Sequence, residues 1–526
     1  MVSLGVWTAT LLVSIAYAHP TQPTRAELSL ITPPPIPQPP EHLYYRRDII
    51  DSLTSKAASY GESLLSDLGS AIPSYVTDGI LPGYVDLPTG SQVLSSAGVS
   101  SSDLDPQPTQ VLNIPGYGNW TGSQWNLRVH GNVFKQPDIS NDTIDDLANL
   151  FLIDTSVADL DQTGQDQARN LTRAIYVVQQ DDMNVTVNIL PGPQFGGDGE
   201  SDGGGGMTAA GINQTIQLPY ETTLQGDFDT FIKLDQANSD LTAGTGEIPP
   251  QRVNVYAQGT DTGNATSYLV SDNGLTVISD IDDILRVTKI YDPEEGLLNS
   301  FGRPFVQWMN MPDIYRNWSV SLPNMHFHYL TTTPEQVTRK YMDFIYKTYP
   351  GGSFDTRPLN FSDVSATLAI RKFLLDKVFQ TFPNRKFILM ADTSNPDVMR
   401  DYPQMAKDYP GQVQCIFLRN TSATDSSNHF PYNTEGFQNL NQQMYMFFRT
   451  PDDLTNLDIV NGQCYNSSIP QNVSFGYQGL PFGLETSNSN TTDNNTASSL
   501  LRGVSSWYSP LSLSLVLACA FLFSAL

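Results

Sequence analysis

Gly274-Leu275-Thr276-Val277-Ile278-Ser279-Asp280-Ile281-Asp282-Asp283 is the stretch on which the reading of this chain turns. Leu275 to Ser279 is apolar and β-branched, the composition of a strand buried on both faces, and it runs into three carboxylates interrupted only by Ile281. Crowded like charges repel unless a cation, or the positive end of a following helix, offsets them. A hard, oxygen-seeking ion such as Mg²⁺ does so. Side chains at i and i+2 of an extended segment share a face, so Asp280 and Asp282 can address one ligand while Asp283 turns elsewhere. One carboxylate can then attack and the other can move a proton. A surface turn rich in Asp is the competing reading of the same residues.

Downstream, Leu275 to about Phe482 alternates strand and helix. Strands are predicted at Leu275 to Ser279, His326 to Leu330, Phe387 to Ala391 and Val413 to Leu418, with helices at Glu335 to Thr348, Ala366 to Phe382 and Asp397 to Asp408. Thr333 is suited to cap the first helix and Pro334 to its first turn. Such alternation predicts an α/β fold with a parallel sheet, helices on both faces, and ligands at the carboxyl ends of the strands. Those ends carry Asp280 and Asp282, Thr331 and Thr332, and Asp392, residue types that suit Mg²⁺ and phosphate. Between the first two strands, Phe301, Phe305, Trp308, Met309 and Met311 form either a flap for an acyl chain or a small helical cap packed on the core. His326 and His328 share a strand face, but no third zinc ligand of matching spacing accompanies them.

Upstream, residues 108–270 change to a period of two: Trp125, Leu127, Val129, Gly131 and Val133, then Val185, Val187 and Ile189, then Val253, Val255 and Ala257. Short strands with turns between them predict a β-sandwich-like domain. Phe195 to Met207 is rich in Gly, Asp and Glu without the Lys-Ser/Thr of a phosphate loop, and reads as a disordered acidic insertion. Residues 19–107 read as a Pro/Ser-rich linker carrying one amphipathic helix at Asp48 to Leu68.

At 526 residues the chain is too long for one core at about 150 residues per domain. Its net charge of -26 argues against binding nucleic acid by general electrostatics. Residues 1–18 read as a cleaved signal peptide. Residues 483–500 form an Asn/Ser/Thr-rich linker, and 501–526 have the layout of a GPI-anchor signal, a tail-anchored helix being the alternative. Export to the outer face of the plasma membrane or the cell wall follows. Sequons at Asn119, Asn141, Asn170, Asn184, Asn213, Asn264, Asn317, Asn360, Asn420, Asn466 and Asn472, with Asn490 and Asn494 in the tail, fit a glycosylated exported protein. Cys519 lies in the tail that anchor processing would remove. Cys415 and Cys464 are then an even pair in an oxidising compartment and are expected to form a disulfide, two buried thiols being the alternative. No Gly-X-Ser-X-Gly, His-Glu-X-X-His or Cys-X-X-Cys occurs, which removes the usual serine-hydrolase, zincin and dithiol readings.

Asp280-Ile281-Asp282-Asp283, Tyr329-Leu330-Thr331-Thr332-Thr333-Pro334, and Phe382-Pro383-Asn384-Arg385-Lys386-Phe387 leading to Asp392 and Asp397 resemble, in order, the motifs of haloacid-dehalogenase phosphatases. More narrowly, they resemble the catalytic domain of the actin-patch-type phosphatidate phosphatases of fungi and bacteria, in which a β-domain also precedes this strand; the chain looks like a secreted, fungal-like member. The resemblance implies a Rossmann-like haloacid-dehalogenase domain over residues 271–482 and Mg²⁺-dependent conversion of phosphatidate to diacylglycerol and phosphate. It implies Asp280 as the nucleophile that carries the phosphoryl group and Asp282 as the acid and base. Thr331 and Thr332 would bind phosphate, with Arg371 or its neighbour Lys372 where the family has a lysine. Asp280, Asp282 through its carbonyl oxygen, Asp392 and Asp397 would form the Mg²⁺ site. Ile284 and Ala391 depart from the family pattern, as Arg371 does. An exported phosphatase for another phosphomonoester, and a non-catalytic GPI-anchored surface glycoprotein, are the other readings.

Overall fold

Leu275–Ser279 (β1) is a strand, and from Thr276 onward every side chain in it is buried. It pairs in parallel with His326–Pro334 (β2) on one edge and Lys386–Asp392 (β4) on the other. Ser353–Arg357 (β3) extends the sheet beyond β2; Val413–Arg419 (β5) and Tyr445–Phe448 (β6) extend it beyond β4. The order β3-β2-β1-β4-β5-β6 is parallel throughout. The order reverses between β1 and β4, the position at which open parallel sheets place ligands, at the carboxyl ends of the strands. The computed structural model describes residues 90–152, 154–192, 207–208, 211–237, 239–357, 364–425, 434–469 and 471. All of them belong to one unit, Tyr44–Leu526.

The strand pleat sorts the core. Val277, Phe327, Tyr329, Ile388, Met390 and Phe417 face one layer, formed with Met311–Ser321 (α1) and Thr338–Thr348 (α2). Ile278, Leu330, Leu389, Ile416 and Leu418 face the other, formed with Val364–Thr381 (α3) and Pro396–Asp408 (α4). The period of two puts alternate residues on opposite faces, and helices cover both. Cys415 and Cys464 form the expected disulfide, Cα to Cα 5.5 Å, which ties the segment after β6 back to β5. Thr333 is not a helix cap: β2 runs through it to Pro334, and a 3₁₀ turn, Glu335–Val337, precedes α2. Trp308, Met311 and Phe301 are buried while Met309 and Val306 are exposed, so that aromatic segment packs largely as a cap on the core.

The upstream β region is one connected, mainly antiparallel sheet of ten strands, not two separate sheets. Gln124–Lys135 is its spine, flanked by Thr109–Ile114 and Tyr117–Thr121 on one edge and Asp227–Lys233 on the other. The path continues through Asn264–Val270, Gln251–Ala257 and Thr186–Pro191 to Gln214–Gln217. Its ends meet, because the Gln214 side chain bonds both the backbone N–H and the carbonyl of Asp235, just past Asp227–Lys233. The alternating residues predicted to point inward share a single core. Gly131 belongs to that alternation for a different reason: a Cβ there would come within 1.9 Å of the Leu112 carbonyl oxygen.

Three helical pieces depart from the sequence reading. Ser91–Ala97, inside the stretch read as linker, and Asn141–Ala148 and Gln162–Ile175, inside the β-rich region, are helices that share a core with Phe301 and Leu297. The two sheets meet through buried charge. Arg128 clamps Asp229 at 2.7 Å and Asp355 of β3 at 2.8 Å, Lys377 pairs with Asp229, and His328 lies 3.6 Å from Asp355. Met207–Thr208 is a strand, whereas the rest of the Gly-rich insertion, the signal-like segment, the Asp48 to Leu68 helix, Asn360, Asn472 and the C-terminal tail lie outside the described residues. Among the described residues no helix is long and apolar enough to cross a membrane.

Candidate active site

Asp280 sits just past the end of β1, 2 % exposed, with its backbone N–H on the Met390 carbonyl of β4. One carboxyl oxygen accepts the N–H of Ile281 at 2.9 Å and the other meets Arg371 of α3 at 3.0 Å. Burial pushes its carboxyl up to about 7, Arg371 opposes that, and the neighbouring charges of Asp282 and Asp392 add to the rise. Arg371 is fully buried. Although burial disfavours its charge, Asp280 holds that charge in place.

Asp282 shares the neighbourhood but is engaged differently. Its carboxylate accepts Arg286 at 2.8 Å, Thr288 at 2.6 Å and the Tyr341 hydroxyl of α2 at 3.2 Å. The Arg286 guanidinium lies over the rings of Phe305, at 3.9 Å, and Tyr341, at 4.7 Å, which fixes both partners. Asp283 turns away as expected, but through a turn, since β1 ends at Ser279. It takes the left-handed conformation at φ 56° and receives the N–H groups of Thr288, Lys289 and Ile290. Its carboxylate therefore folds the following loop, while Arg419 donates to its carbonyl.

Thr331 and Thr332 are buried at the end of β2. The Thr331 hydroxyl accepts the Thr333 N–H at 3.1 Å, and the Thr332 carbonyl receives Arg357 at 3.1 Å, so this strand end is held rigidly. Asp392 ends β4. One of its oxygens accepts the Ser394 N–H and the Thr421 hydroxyl, both at 2.8 Å. The other is buried without a hydrogen-bond partner, and burial raises its pKa. Asp397, in the first turn of α4, binds Arg400 at 3.0 Å through one oxygen and leaves the second buried and unpartnered. Burial pushes it to about 6, with Arg400 pulling it back.

Arg371 and Lys372 separate as helix geometry demands. Arg371 reaches Asp280, whereas the Lys372 ammonium bonds Asp376 and Asp408, each at 2.9 Å. Adjacent helical residues point about 100° apart, so Lys372 is corrected to a largely buried ion pair away from Asp280. The three carboxylates expected at the metal, Asp280, Asp392 and Asp397, are not gathered as one set either. Among the described residues no group of three or more His, Cys, Asp or Glu side chains is poised for a metal; Arg371 holds Asp280 and Arg400 holds Asp397. The unpartnered oxygen of Asp392, one strand from Asp280, is still an acceptor without a donor and fits a cation.

Sequence reasoning missed Arg286, Thr288, Tyr341 and Thr421. Only Arg286 carried a signal, its i+4 spacing from Asp282. Among the sequons, Asn141, Asn170, Asn184, Asn213, Asn264 and Asn317 are exposed and Asn466 is half-buried. Asn420 is buried and caps a short helix by accepting the Ala423 N–H at 3.1 Å, so it is corrected: a glycan would unseat the cap. Asn119 donates to the Thr381 carbonyl at 3.1 Å, the nitrogen a glycan would need. His326 and His328 both bond Ser353, at 3.0 and 2.8 Å, inside the core.

Residues 275–420 match the family model described as phosphatidate phosphatase APP1, catalytic domain. No curated protein matches the chain. The matched segment spans β1 through β5 and contains the residues of the site just described except Thr421, and over that segment the chain is similar to a phosphatase catalytic domain.

Proposed function

We propose that this chain, a phosphatase by its APP1-type catalytic domain, hydrolyses phosphatidate to diacylglycerol and inorganic phosphate on a haloacid-dehalogenase-type, Rossmann-like sheet. One observation carries the reading: Asp280 leaves β1 paired to Arg371, two residues before Asp282 and one strand from an Asp392 oxygen that has no hydrogen-bond partner.

The Asp280 carboxylate attacks phosphorus, the bond to the glycerol oxygen breaks, and the phosphoryl group passes to Asp280. Arg371 keeps Asp280 ionised and aimed. Asp282, protonated for this step, gives its proton to the departing alkoxide, then takes one from the water that cleaves the acyl phosphate and frees phosphate. Arg286, Thr288 and Tyr341 fix the position from which it does both. The Thr331 hydroxyl and the Thr332 N–H hold the non-bridging oxygens. Asp280, Asp392 and the Asp282 carbonyl would hold Mg²⁺, with Asp397 in support. When bound, the ion supplies positive charge to the phosphoryl oxygens.

Export to the outer surface on a GPI anchor belongs to the same proposal. The Cys415–Cys464 disulfide and the exposed sequons support it, since such bonds persist in oxidising compartments. The test is phosphate release from dispersed phosphatidate and from a small phosphomonoester, with Mg²⁺ or EDTA, by the secreted ectodomain and its Asp280→Asn variant. Expected is Mg²⁺-dependent release, faster on the lipid, that falls by at least about 10³-fold in Asp280→Asn. A preference for the soluble ester would sink the lipid assignment, and no release from folded protein would sink catalysis.

A further inference from the structure

Between the helix Gln162–Ile175, the strands Thr109–Ile114 and Gln124–Lys135, and the 3₁₀ turn before α2 lies a cavity of about 190 Å³. That is room for about six waters or one small organic molecule. Neither Asp280 nor any residue bonded to it or to Asp282 lines it. Its wall contains Gln336, which is 6 % exposed and has no hydrogen-bond partner on either its amide oxygen or its nitrogen. Next to it, Glu335 is 4 % exposed with one carboxyl oxygen equally unpartnered. Buried polar groups are normally satisfied, and leaving them unmade is costly, so an amide with both ends unused asks for a partner.

The charge at the cavity names that partner's sign. Arg339 lies over the Phe134 ring at 5.2 Å and donates to the Val111 carbonyl at 3.4 Å. Arg173 donates to the Asn141 side chain at 2.7 Å. Neither is in direct ion-pair contact with a carboxylate among the described residues, although Asp343 acts on Arg339 and Asp145, itself bound by Arg169, on Arg173 at longer range. In a chain of net charge -26, two arginines at one cavity with no carboxylate bonded to either leave donors for an anion. Burial, with the Asp227 charge and a hydrogen bond shared with Asp227, pushes the Glu335 carboxyl well above the usual range, which lessens its opposition to an anion. Leu112 and Phe134 provide an apolar wall.

We infer that this cavity binds a small organic anion, a phosphate or carboxylate on a short body, gripped by Arg173, Arg339 and Gln336. The site touches the catalytic machinery through the chain: Glu335 and Gln336 follow the Thr331–Thr332 strand end, and the next helix brings Tyr341 to Asp282. The inference does not depend on the lipid assignment.

The experiment titrates the full chain carrying Asp280→Asn, which silences hydrolysis, with glycerol 3-phosphate, inorganic phosphate and butyrate by calorimetry. The same titrations follow with Gln336→Leu or Arg173→Ala added. Phosphate held at the active site persists in all three proteins, so the component lost in the added variants reports the cavity. Each variant is expected to weaken that component at least about tenfold. Without ligand, Gln336→Leu is expected to raise the melting temperature by about 2 °C, since a near-isosteric apolar side chain replaces an unsatisfied amide. A role in packing alone predicts the opposite shift. Butyrate binding identifies carboxylate recognition, and binding of the phosphate probes alone identifies phosphate. Unchanged titrations in both variants, or no binding of any probe, overturn the inference.

Discussion

Two buried clusters of charge lie on the parallel sheet, and their balance differs. At the carboxyl ends of β1 and β4, Asp280, Asp283 and Asp397 have carboxyls pushed up to about 7, 6 and 6 by burial, and Asp392 and Asp397 each keep an oxygen without a partner. Against β2 and β3, burial also works to raise Asp355, but Arg128, with His130 and His328, overrides it and holds the carboxyl well below the usual range. Arg128 is shared between Asp355 and Asp229, and Lys377 reinforces Asp229. The second cluster is largely neutralised by the protein itself, as a structural joint should be. The first, despite Arg371, Arg286 and Arg400, keeps two carboxyl oxygens that no donor reaches.

The largest effect should come from breaking the joint. Arg128→Met leaves Asp355 and much of Asp229 buried without their main counter-charge, so stability is expected to fall by about 3–5 kcal/mol. Urea unfolding followed by tryptophan fluorescence measures it. Activity per folded molecule should be retained, because Arg128 touches no residue of the site. A near-neutral Arg128→Met would mean that the joint is not held by charge, and the contrast with the site would lose its structural half.

Next in size is Arg371. Arg371→Ala removes the charge that opposes the rise of Asp280 and is expected to cost about 10²-fold in kcat/KM, with Arg371→Lys recovering part of it. A lysine keeps the charge but presents a single ammonium where the guanidinium reaches Asp280. Equal losses in both variants would mean that shape, not charge, matters there. An unchanged rate in Arg371→Ala would remove Arg371 from the site.

This contrast also marks how far the sequence could be read. β1 and the helices α3 and α4 were legible because their buried faces are continuous and apolar. β3 was not: Ser353-Phe354-Asp355-Thr356-Arg357 reads as a polar loop, yet every side chain in it is buried. It can be so only because Arg128 and the histidines, distant in sequence, supply its partners. Gln162–Ile175 was hidden by its many polar residues, although Gly164, Ala168, Leu171 and Ile175 mark a buried stripe at intervals of four, three and four. At the site, Asp280, Asp282 and Asp392 were readable as carboxylates at strand ends, whereas Tyr341 and Thr421 reach Asp282 and Asp392 across long sequence separations and leave no local trace. The choice between Arg371 and Lys372 needed the orientation of α3 on the sheet, which periodicity alone does not set.

The smallest effect tests the joint through its protons. His328 is buried and its pKa is lowered to about 4, chiefly by burial; Asp355 favours the charged ring and Arg128 opposes it. In an unfolded chain the same imidazole protonates near 6.5. Between pH 6.5 and about 4 the unfolded chain therefore binds the extra proton, and His328 makes stability fall with falling pH by up to about 1 kcal/mol per unit. Asp229 acts in the opposite sense: its folded pKa of about 6 lies above the unfolded 3.8, so acid favours the folded chain through that group. His328→Gln keeps an amide able to bond Ser353 and removes only the imidazole's contribution. Urea midpoints measured from pH 7 to pH 4.5 should decline less steeply in the variant than in the parent. Parallel declines would mean that His328 is already charged in the folded joint. Asp355 would then be paired with two cations, and the joint would be better neutralised than its burial suggests, which sharpens the contrast with the carboxylates at β1.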